Sequence, residues 1–400
     1  MALLPITDAL SRILGDARPL PAESVDIDAA LGRVLAETLK ARRDQPPFEA
    51  SAMDGYAVQA TDVTMAPAKL KLIGTSAAGH GFRGAVKPGQ TVRIFTGAAL
   101  PRGTDTVVIQ ENVAADGDVI TIREPAKLAQ NVRHRGFDFS RGEVLIAPGT
   151  LLNTRDLGLA AAMNCATLRV RRTPRVAILS TGDELVAPGG KPGPDQIVSS
   201  NATALAAFAT RFGGEAVPLG IVKDDLRATA KAVGKARDAD ILLTTGGASV
   251  GDHDFVQQAL KDAGVTIDFW KIAMRPGKPM MYGRRGRQQV IGLPGNPVSA
   301  LVCARLFLKP LLTKLLGLPV TTETVQARLT EALPANDLRQ DHLRATLHIA
   351  SDGTRSVTPF KKQDSSQLRT FREADALIIR PANAPEAAVG TTVPILILDF

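Results

Sequence analysis

The feature that most restricts the fold is an alternation of strand-like and helix-like stretches between Arg175 and Leu316. In order they read RVAILST, NATALAAFATRFGG, AVPLGIV, DLRATAKAVGKARDA, DILLTT, DFVQQALKDAG, TIDFWKIAM, QQVIGLPG and PVSALVCARLFLKPLLTKLLG. Continuous apolar runs of strand length taking turns with amphipathic runs of helix length predict a mainly parallel, doubly wound α/β sheet with helices on both faces. Ligands of such sheets sit beyond the carboxyl ends of the strands, so the loops there are the place to look for function.

The chain has 400 residues, which at roughly 150 residues per domain leaves room for several cores. Ile6 to Leu14 has helical spacing, and DIDAALGRVLAETL within Ser24 to Leu39 predicts a second amphipathic helix. From Gln45 to about Arg135 short alternating runs are cut by Gly and Pro, the texture of a small β domain. Gly142 to Val170 is mixed, and the strands predicted after Pro319 form a small all-β domain. Hydrophobic residues at 44% and charged residues at 22% exclude a largely disordered, collagenous or coiled-coil chain.

Forty-eight Lys and Arg against 40 Asp and Glu give a net charge of +8, a mild excess that favours an anionic ligand. The string RVRRTPR, Arg169 to Arg175, is the one dense basic cluster. It lacks interleaved aromatics and reads as a linker, so no nucleic-acid partner is expected. No apolar run reaches the roughly 18 residues of a membrane span, and the first residues lack a basic stretch leading into an apolar one. A cytoplasmic protein with no membrane partner is the expectation. Cys165 and Cys303 stand among apolar neighbours without metal or redox spacing and are expected as buried thiols.

No GxxxxGK[ST] string occurs, and the GxGxxG from Gly79 to Gly84 is followed by Pro88 and alternating residues that deny it a helix. The loop after DILLTT is a better phosphate candidate. Gly246, Gly247, Ser249 and Gly251 allow close backbone approach before a helix beginning near Asp254. Pro294 and Asn296 occupy a similar turn before the last helix, and Arg275 and Lys278 flank Gly277 in a third loop. Cations and glycine-rich loops at one sheet edge suit phosphate. Acids stand there too: Asp183 and Glu184, Asp224 and Asp225, Asp252 and Asp254. They become compatible with phosphate if a hard divalent cation such as Mg²⁺ bridges the two, although each alone also reads as a helix cap or solvated carboxylate. No GxSxG elbow and no HExxH spacing occurs among the five histidines, which disfavours hydrolase triads and zinc proteases.

Eight ordered strings carry a resemblance to a known family: PPFEASAMDGYAV, IFTGAALPRGTDTVV, VRHRGFDFSRGE, STGDEL, SSNA, TTGGASVGDHDF, MRPGKP and GLPGNPVSA. Over essentially its whole length the chain resembles the MoeA family, molybdopterin molybdotransferases of molybdenum cofactor biosynthesis related to the gephyrin E domain. The resemblance implies an N-terminal helix packed on the sheet domain (1–22), a linking domain (23–46 and 141–173), an inserted β domain (47–140), a molybdopterin-binding α/β domain (174–318) and a C-terminal β-barrel (319–400). It implies a homodimer that takes adenylylated molybdopterin and molybdate, releases AMP and uses a divalent cation. Upstream it implies a molybdopterin adenylyltransferase, and downstream molybdoenzymes or their chaperones.

Carried over by position, the family's acids fall on Asp54, Asp138, Glu184, Asp225 or its neighbour Asp224, and Asp254, with Glu184, Asp225 and Asp254 as metal ligands. Its substrate contacts fall on Thr96, Thr181, Gly246, Gly247, Ser249, Gly251, Lys271, Arg275, Lys278, Pro294, Asn296, Arg344 and Ser366, the last within the pair Ser365–Ser366. Arg275 stands where some relatives have Lys, which would make it a planar fork for an oxyanion or phosphate. Phe137 departs from the acid more common before Asp138. Two other readings share the sheet domain. A molybdopterin adenylyltransferase resembles a shorter chain with a TTGGTG-like loop, and a gephyrin-like scaffold would need none of the acids and cations present.

Overall fold

The computed structural model describes residues 3–246, 255–321 and 323–400. The chain divides into two compact units. One comprises Gly32–Ala36 and Val170–Phe400 together with the start of the chain as far as Glu23; the other comprises Ser24–Leu31 and Glu37–Arg169.

In the first unit a six-stranded sheet has the order Glu215–Val222, Arg175–Thr181, Ile241–Thr245, Gln288–Leu293, Met281–Arg285, Thr266–Trp270. The first four strands are parallel, and Met281–Arg285 runs antiparallel to both of its neighbours, Gln288–Leu293 and Thr266–Trp270. Why the central strands are apolar throughout is visible in their packing. Val176, Ile178, Ile241 and Leu243 enter one core with Leu205, Phe208 and Phe307, whereas Ala177, Leu179 and Leu242 enter a second core with Val233, Val256 and Leu260. Alternate side chains thus meet helices on opposite faces, as doubly wound sheets require. The helix Ile6–Gly15 adds Ala9 and Ile13 to the first core.

The long final helix is broken into Pro297–Cys303, a π turn Ala304–Leu308, and Lys309–Leu315. Pro310 has no N–H for the carbonyl four residues back, and the π turn lies at that point. The strand Met281–Arg285 was not evident from sequence; the short Gly286–Arg287 turn that joins it to Gln288, with Gly286 at φ +59°, makes the hairpin. Beyond the sheet, Thr324–Leu329, Gln340–Ile349, Arg355–Pro359, Ala376–Arg380 and Thr392–Ile397 close into a five-stranded barrel, and Met274–Arg275 pairs onto the strand at Gln340–Asp341.

The second unit is built on a sheet ordered Thr106–Ile109, Gly55–Val58, Gln90–Ile94, Ala68–Ser76, Val119–Ile122, Val113–Asp116. Its cores gather Val58, Val63, Leu70, Ile120 and Ile122, and Ala57, Ile94 and Val107. Gly55 cannot be replaced there, because a Cβ would lie 1.9 Å from the Val108 carbonyl oxygen. The helix Thr154–Ala162 starts with a capping box between Asn153 and Asp156.

The amphipathic helix expected within Ser24–Leu39 is not formed. That segment holds the strand end at Asp26, one 3-10 turn at Ile27–Ala29, and extended chain. Gly32 takes φ +72°, which interrupts a right-handed helix, and Val34 and Leu35 are both buried, with Leu35 bridging Val170. The basic string contains the boundary between the two units, at Arg169 and Val170, but it is not loosely solvated: it runs through the strand Thr167–Arg171, and Arg172 makes a bidentate pair with Asp240 at 3.0 and 2.6 Å. Both cysteines are free and buried, and burial pushes both thiols above their ordinary range. No helix among the described residues is long and apolar enough to cross a membrane.

Candidate functional site

From the strand Arg175–Thr181 the chain crosses to Glu215–Val222 on one side, and from the adjacent strand Ile241–Thr245 it crosses to Thr266–Trp270 on the other, so the connections diverge between these two strands and open a crevice at their carboxyl ends. Register aligns those ends: Thr181 faces Val222, Ser180 faces Thr245, and Thr245 faces Leu293. The residues just beyond, Gly182 to Glu184, Asp224 and Asp225, Gly246, and Pro294 to Asn296, therefore share one edge. Gly246, at φ +91°, fits against Thr181 so closely that a Cβ would lie 2.1 Å from the Thr181 carbonyl oxygen.

At this edge a cleft of about 890 Å³ is lined by Thr181, Glu184, Gly246, Lys278, Pro294 and Asn296 from the sheet loops, and by Arg339, Ser365 and Ser366 from the barrel side. Leu185, Ile197 and Val198 form an apolar wall. Asn201 ties two loops together, its Nδ2 donating to Thr245 Oγ1 at 2.8 Å and to the Gly295 carbonyl at 2.7 Å. Ser180 Oγ and Thr181 Oγ1 are buried and have no hydrogen-bond partner among the described residues. Such hydroxyls at a cleft wall suit a polar ligand.

Barrel and sheet meet at the serine pair. Asn296 Nδ2 donates to Ser365 Oγ at 2.9 Å, and the Val298 N–H donates to the Ser365 carbonyl at 3.1 Å. Ser366 gives both its N–H, at 2.8 Å, and its hydroxyl, at 2.6 Å, to Asp364 Oδ1. The Ser366 hydroxyl, followed by its N–H, holds the Asp364 carboxyl below the usual range.

The acids separate by role. Asp225 caps the helix Leu226–Lys235, accepting from the Ala228 N–H at 2.7 Å. Its neighbour Asp224 faces the acidic loop: burial, and then the charges of Asp183 and Glu184, raise its carboxyl pKa. Among the described residues no three His, Cys, Asp or Glu form a metal cage. The positions Gly247, Ser249, Gly251 and Asp254 lie outside the described residues.

The cations expected at the site differ in what they contact. Arg275 lines the cleft, but its Nε donates to Asp341 Oδ1 at 2.8 Å and its Nη2 to Asp341 Oδ2, so the fork holds the barrel strand. Lys271 lies over the Trp270 ring, 5.1 Å from its centroid, and does not line the cleft. Arg344 is 2% exposed, and among the described residues its side chain bonds only the loop at Lys362 to Asp364. Lys278 is exposed in the cleft and forms no ion pair among the described residues. Arg339 was missed in the sequence; of its donors, Nη2 bonds Asp337 at 2.8 Å. Nothing in LRQDHLR tells which of its two arginines faces the cleft until the strand register is known.

In the second unit Asp54 Oδ1 accepts from the Thr96 N–H at 2.7 Å and from its hydroxyl at 2.8 Å. Those two bonds, assisted by Arg93 and opposed by burial, hold the Asp54 carboxyl below the usual range. Asp138 is exposed, its own N–H bonded to the Gln45 carbonyl.

Three family models cover the chain: the MoeA N-terminal region, domains I and II, over residues 4–164; a probable molybdopterin binding domain over 177–314; and the MoeA C-terminal region, domain IV, over 326–398. A molybdopterin molybdenumtransferase of Nostoc sp. is 36% identical over 388 residues, covering 94% of this chain and 89% of the relative. One of Haemophilus influenzae is 33% identical over 403 residues, covering 98% of each. The crystal structure of a molybdopterin biosynthesis MoeA protein from Pyrococcus horikosii superposes with a TM-score of 0.86 at 30% identity, over 99% of both chains. With likeness of sequence and of fold running from end to end, this chain belongs to the MoeA family.

Proposed function

We propose that the chain is a molybdopterin molybdotransferase, taking adenylylated molybdopterin and molybdate and releasing AMP. The observation that carries this reading is the cleft at the switch point, where glycine-bearing strand ends and Lys278 meet Arg339 and the serine-bearing loop of the barrel. The relatives named molybdopterin molybdenumtransferase support it.

The geometry suits a substrate with a pyrophosphate between two ring systems. Gly246 and the Pro294–Asn296 turn let the backbone approach phosphate oxygens, and the apolar wall at Leu185, Ile197 and Val198 accepts a flat ring face. Lys278 and Arg339 line the cleft, where positive charge stabilises negative charge developing on the phosphate of the departing AMP. Ser365 accepts its bond from Asn296, so its own hydroxyl proton remains to donate to an anionic oxygen.

A divalent cation fits the donors present. Burial, and then the charges of Asp183 and Glu184, raise the Asp224 carboxyl pKa; a hard cation would relieve that repulsion, and Mg²⁺ is commonly held by one or two carboxylates together with phosphate oxygens. Glu184 and Asp224 are the residues we assign to it. When bound, it would neutralise charge between phosphate and carboxylates.

We also infer a homodimer in which Asp54, Thr96 and Asp138 of a second copy complete the site. Mixing inactive Asp54→Ala and Glu184→Gln chains should then restore part of the activity; proven subunit exchange without recovery would count against it. The central reading is tested by measuring AMP release and molybdenum incorporation from adenylylated molybdopterin with and without molybdate. AMP release coupled to incorporation is expected, and incorporation no greater than in a protein-free control would refute it.

A further inference from the structure

We propose that Arg344 is a positioning residue: from the barrel strand Gln340–Ile349 it fixes the loop Lys362–Ser366, and through it the two serines that face the cleft. The proposal rests on the reading that this cleft is the molybdenum-insertion site.

Arg344 belongs to the strand Gln340–Ile349 and is among the largest fully buried side chains of the molecule. Burying a guanidinium is costly unless its donors are matched. Among the described residues they are matched by one loop alone. Nη1 donates to the Asp364 carbonyl at 2.7 Å, Nη2 to the Lys362 carbonyl at 3.3 Å, and Nε to Gln363 Oε1 at 3.1 Å. The Arg344 N–H also donates to Gln363 Oε1, at 2.9 Å. Gln363 returns the contact, its Nε2 donating to the Arg344 carbonyl at 3.0 Å and to the Phe360 carbonyl at 2.8 Å. Arg344 on the barrel strand and Gln363 in the loop thus hold each other in a closed clasp.

From the clasp the constraint passes outward in two steps. Asp364, whose carbonyl Arg344 holds, uses its carboxylate to grip the N–H and hydroxyl of Ser366. Ser365 is pinned from the sheet side by Val298 and Asn296. The loop is therefore stretched between a barrel strand and the start of a sheet helix, with both serines held on the cleft wall. A planar fork with several fixed donors can define such a path, whereas an ammonium can reach only part of it. Arg344 itself does not line the cleft.

The test uses the full chain with Arg344→Met, Arg344→Lys and Gln363→Ala, and a core control, Ile395→Ala, in the same barrel but away from the loop. Displacement of reacting groups by about 1 Å can cost a factor of 100. We expect Arg344→Met to lower kcat/KM for molybdate by about ten- to 100-fold, with Arg344→Lys intermediate. Ile395→Ala, matched or exceeded in loss of Tm, should retain kcat/KM. Equal loss in the control, or unchanged kinetics in Arg344→Met, overturns the proposal.

Amide hydrogen exchange gives a second readout that needs no turnover. The Val298 and Ser366 N–H groups, both bonded into the loop, should exchange faster in Arg344→Met and Gln363→Ala but not in the control. Unchanged exchange refutes the clasp. If wild-type protein inserts no molybdenum while exchange responds as stated, the functional reading fails and the clasp stands.

Discussion

Arg275 grips the buried carboxylate of Asp341 with two donors of its guanidinium, tying the loop below the cleft to the first residues of a barrel strand. Asp341 has a side chain only 6% exposed, whereas Arg275 is 46% exposed. Removing the arginine strands a buried charge, a loss usually of about 3–5 kcal/mol for fully buried pairs and smaller where one partner meets water. Arg275→Ala is expected to lose about 2 kcal/mol in urea unfolding, in contrast to the neutral effect expected of a solvated loop cation. Lys278→Ala should leave stability unchanged and weaken pterin nucleotide binding by roughly ten- to 150-fold in calorimetry. The opposite pattern would return the ligand contact to Arg275.

The two adjacent serines should differ. The Ser366 hydroxyl proton is committed to Asp364, while Ser365 accepts from Asn296 and keeps its proton free. Ser365→Ala should raise the KM for molybdate several-fold more than Ser366→Ala. Equal effects would mean that the bond to Asp364 is exchanged for the ligand.

For the acids, Asp225→Asn should be nearly silent because asparagine caps a helix as well as aspartate does, and Asp225→Ala should cost about 1 kcal/mol with its Mg²⁺ response intact. Asp224→Asn should lose the dependence of turnover on Mg²⁺. Full wild-type turnover in excess chelator would remove the cation from the scheme.

His342 provides a pH test. Burial lowers its pKa from 6.5 to about 4, so the folded protein keeps it neutral where the unfolded chain binds a proton. The stabilisation is complete above about pH 6.5 and is lost as pH falls towards 4. Between pH 7 and pH 5 that amounts to roughly 2 kcal/mol. His342→Gln should flatten the stability profile in this window, and an unchanged slope would assign it to other groups.

How much of this was legible in the sequence depended on whether the signal was local. The apolar runs around Val176 and Leu242 announced a sheet covered on both faces, and the glycine loops announced its ligand edge. Helical spacing misled at Ser24–Leu39, because Val34 and Leu35 satisfy that pattern while packing as extended chain. Charge alone did not reveal the partners of Arg275 and Arg344, since Asp341 and the loop at Gln363 are brought to them by strand pairing and a barrel closure that no local window contains. Asp224 and Asp225 are neighbours in different surroundings, Asp225 capping the helix Leu226–Lys235 and Asp224 lying beside Asp183 and Glu184.

The contact between Gly246 and the Thr181 carbonyl has a consequence for how ligands are received. Two strand ends that touch without room for a methyl group cannot breathe apart independently, since the sheet behind them holds both in register. This part of the receptor is moulded during folding, so an arriving molecule need not recruit it from a floppy ensemble. Substituting even alanine at Gly246 would wedge the mould open, turning a lock that exists before its key into one that must be rebuilt around it.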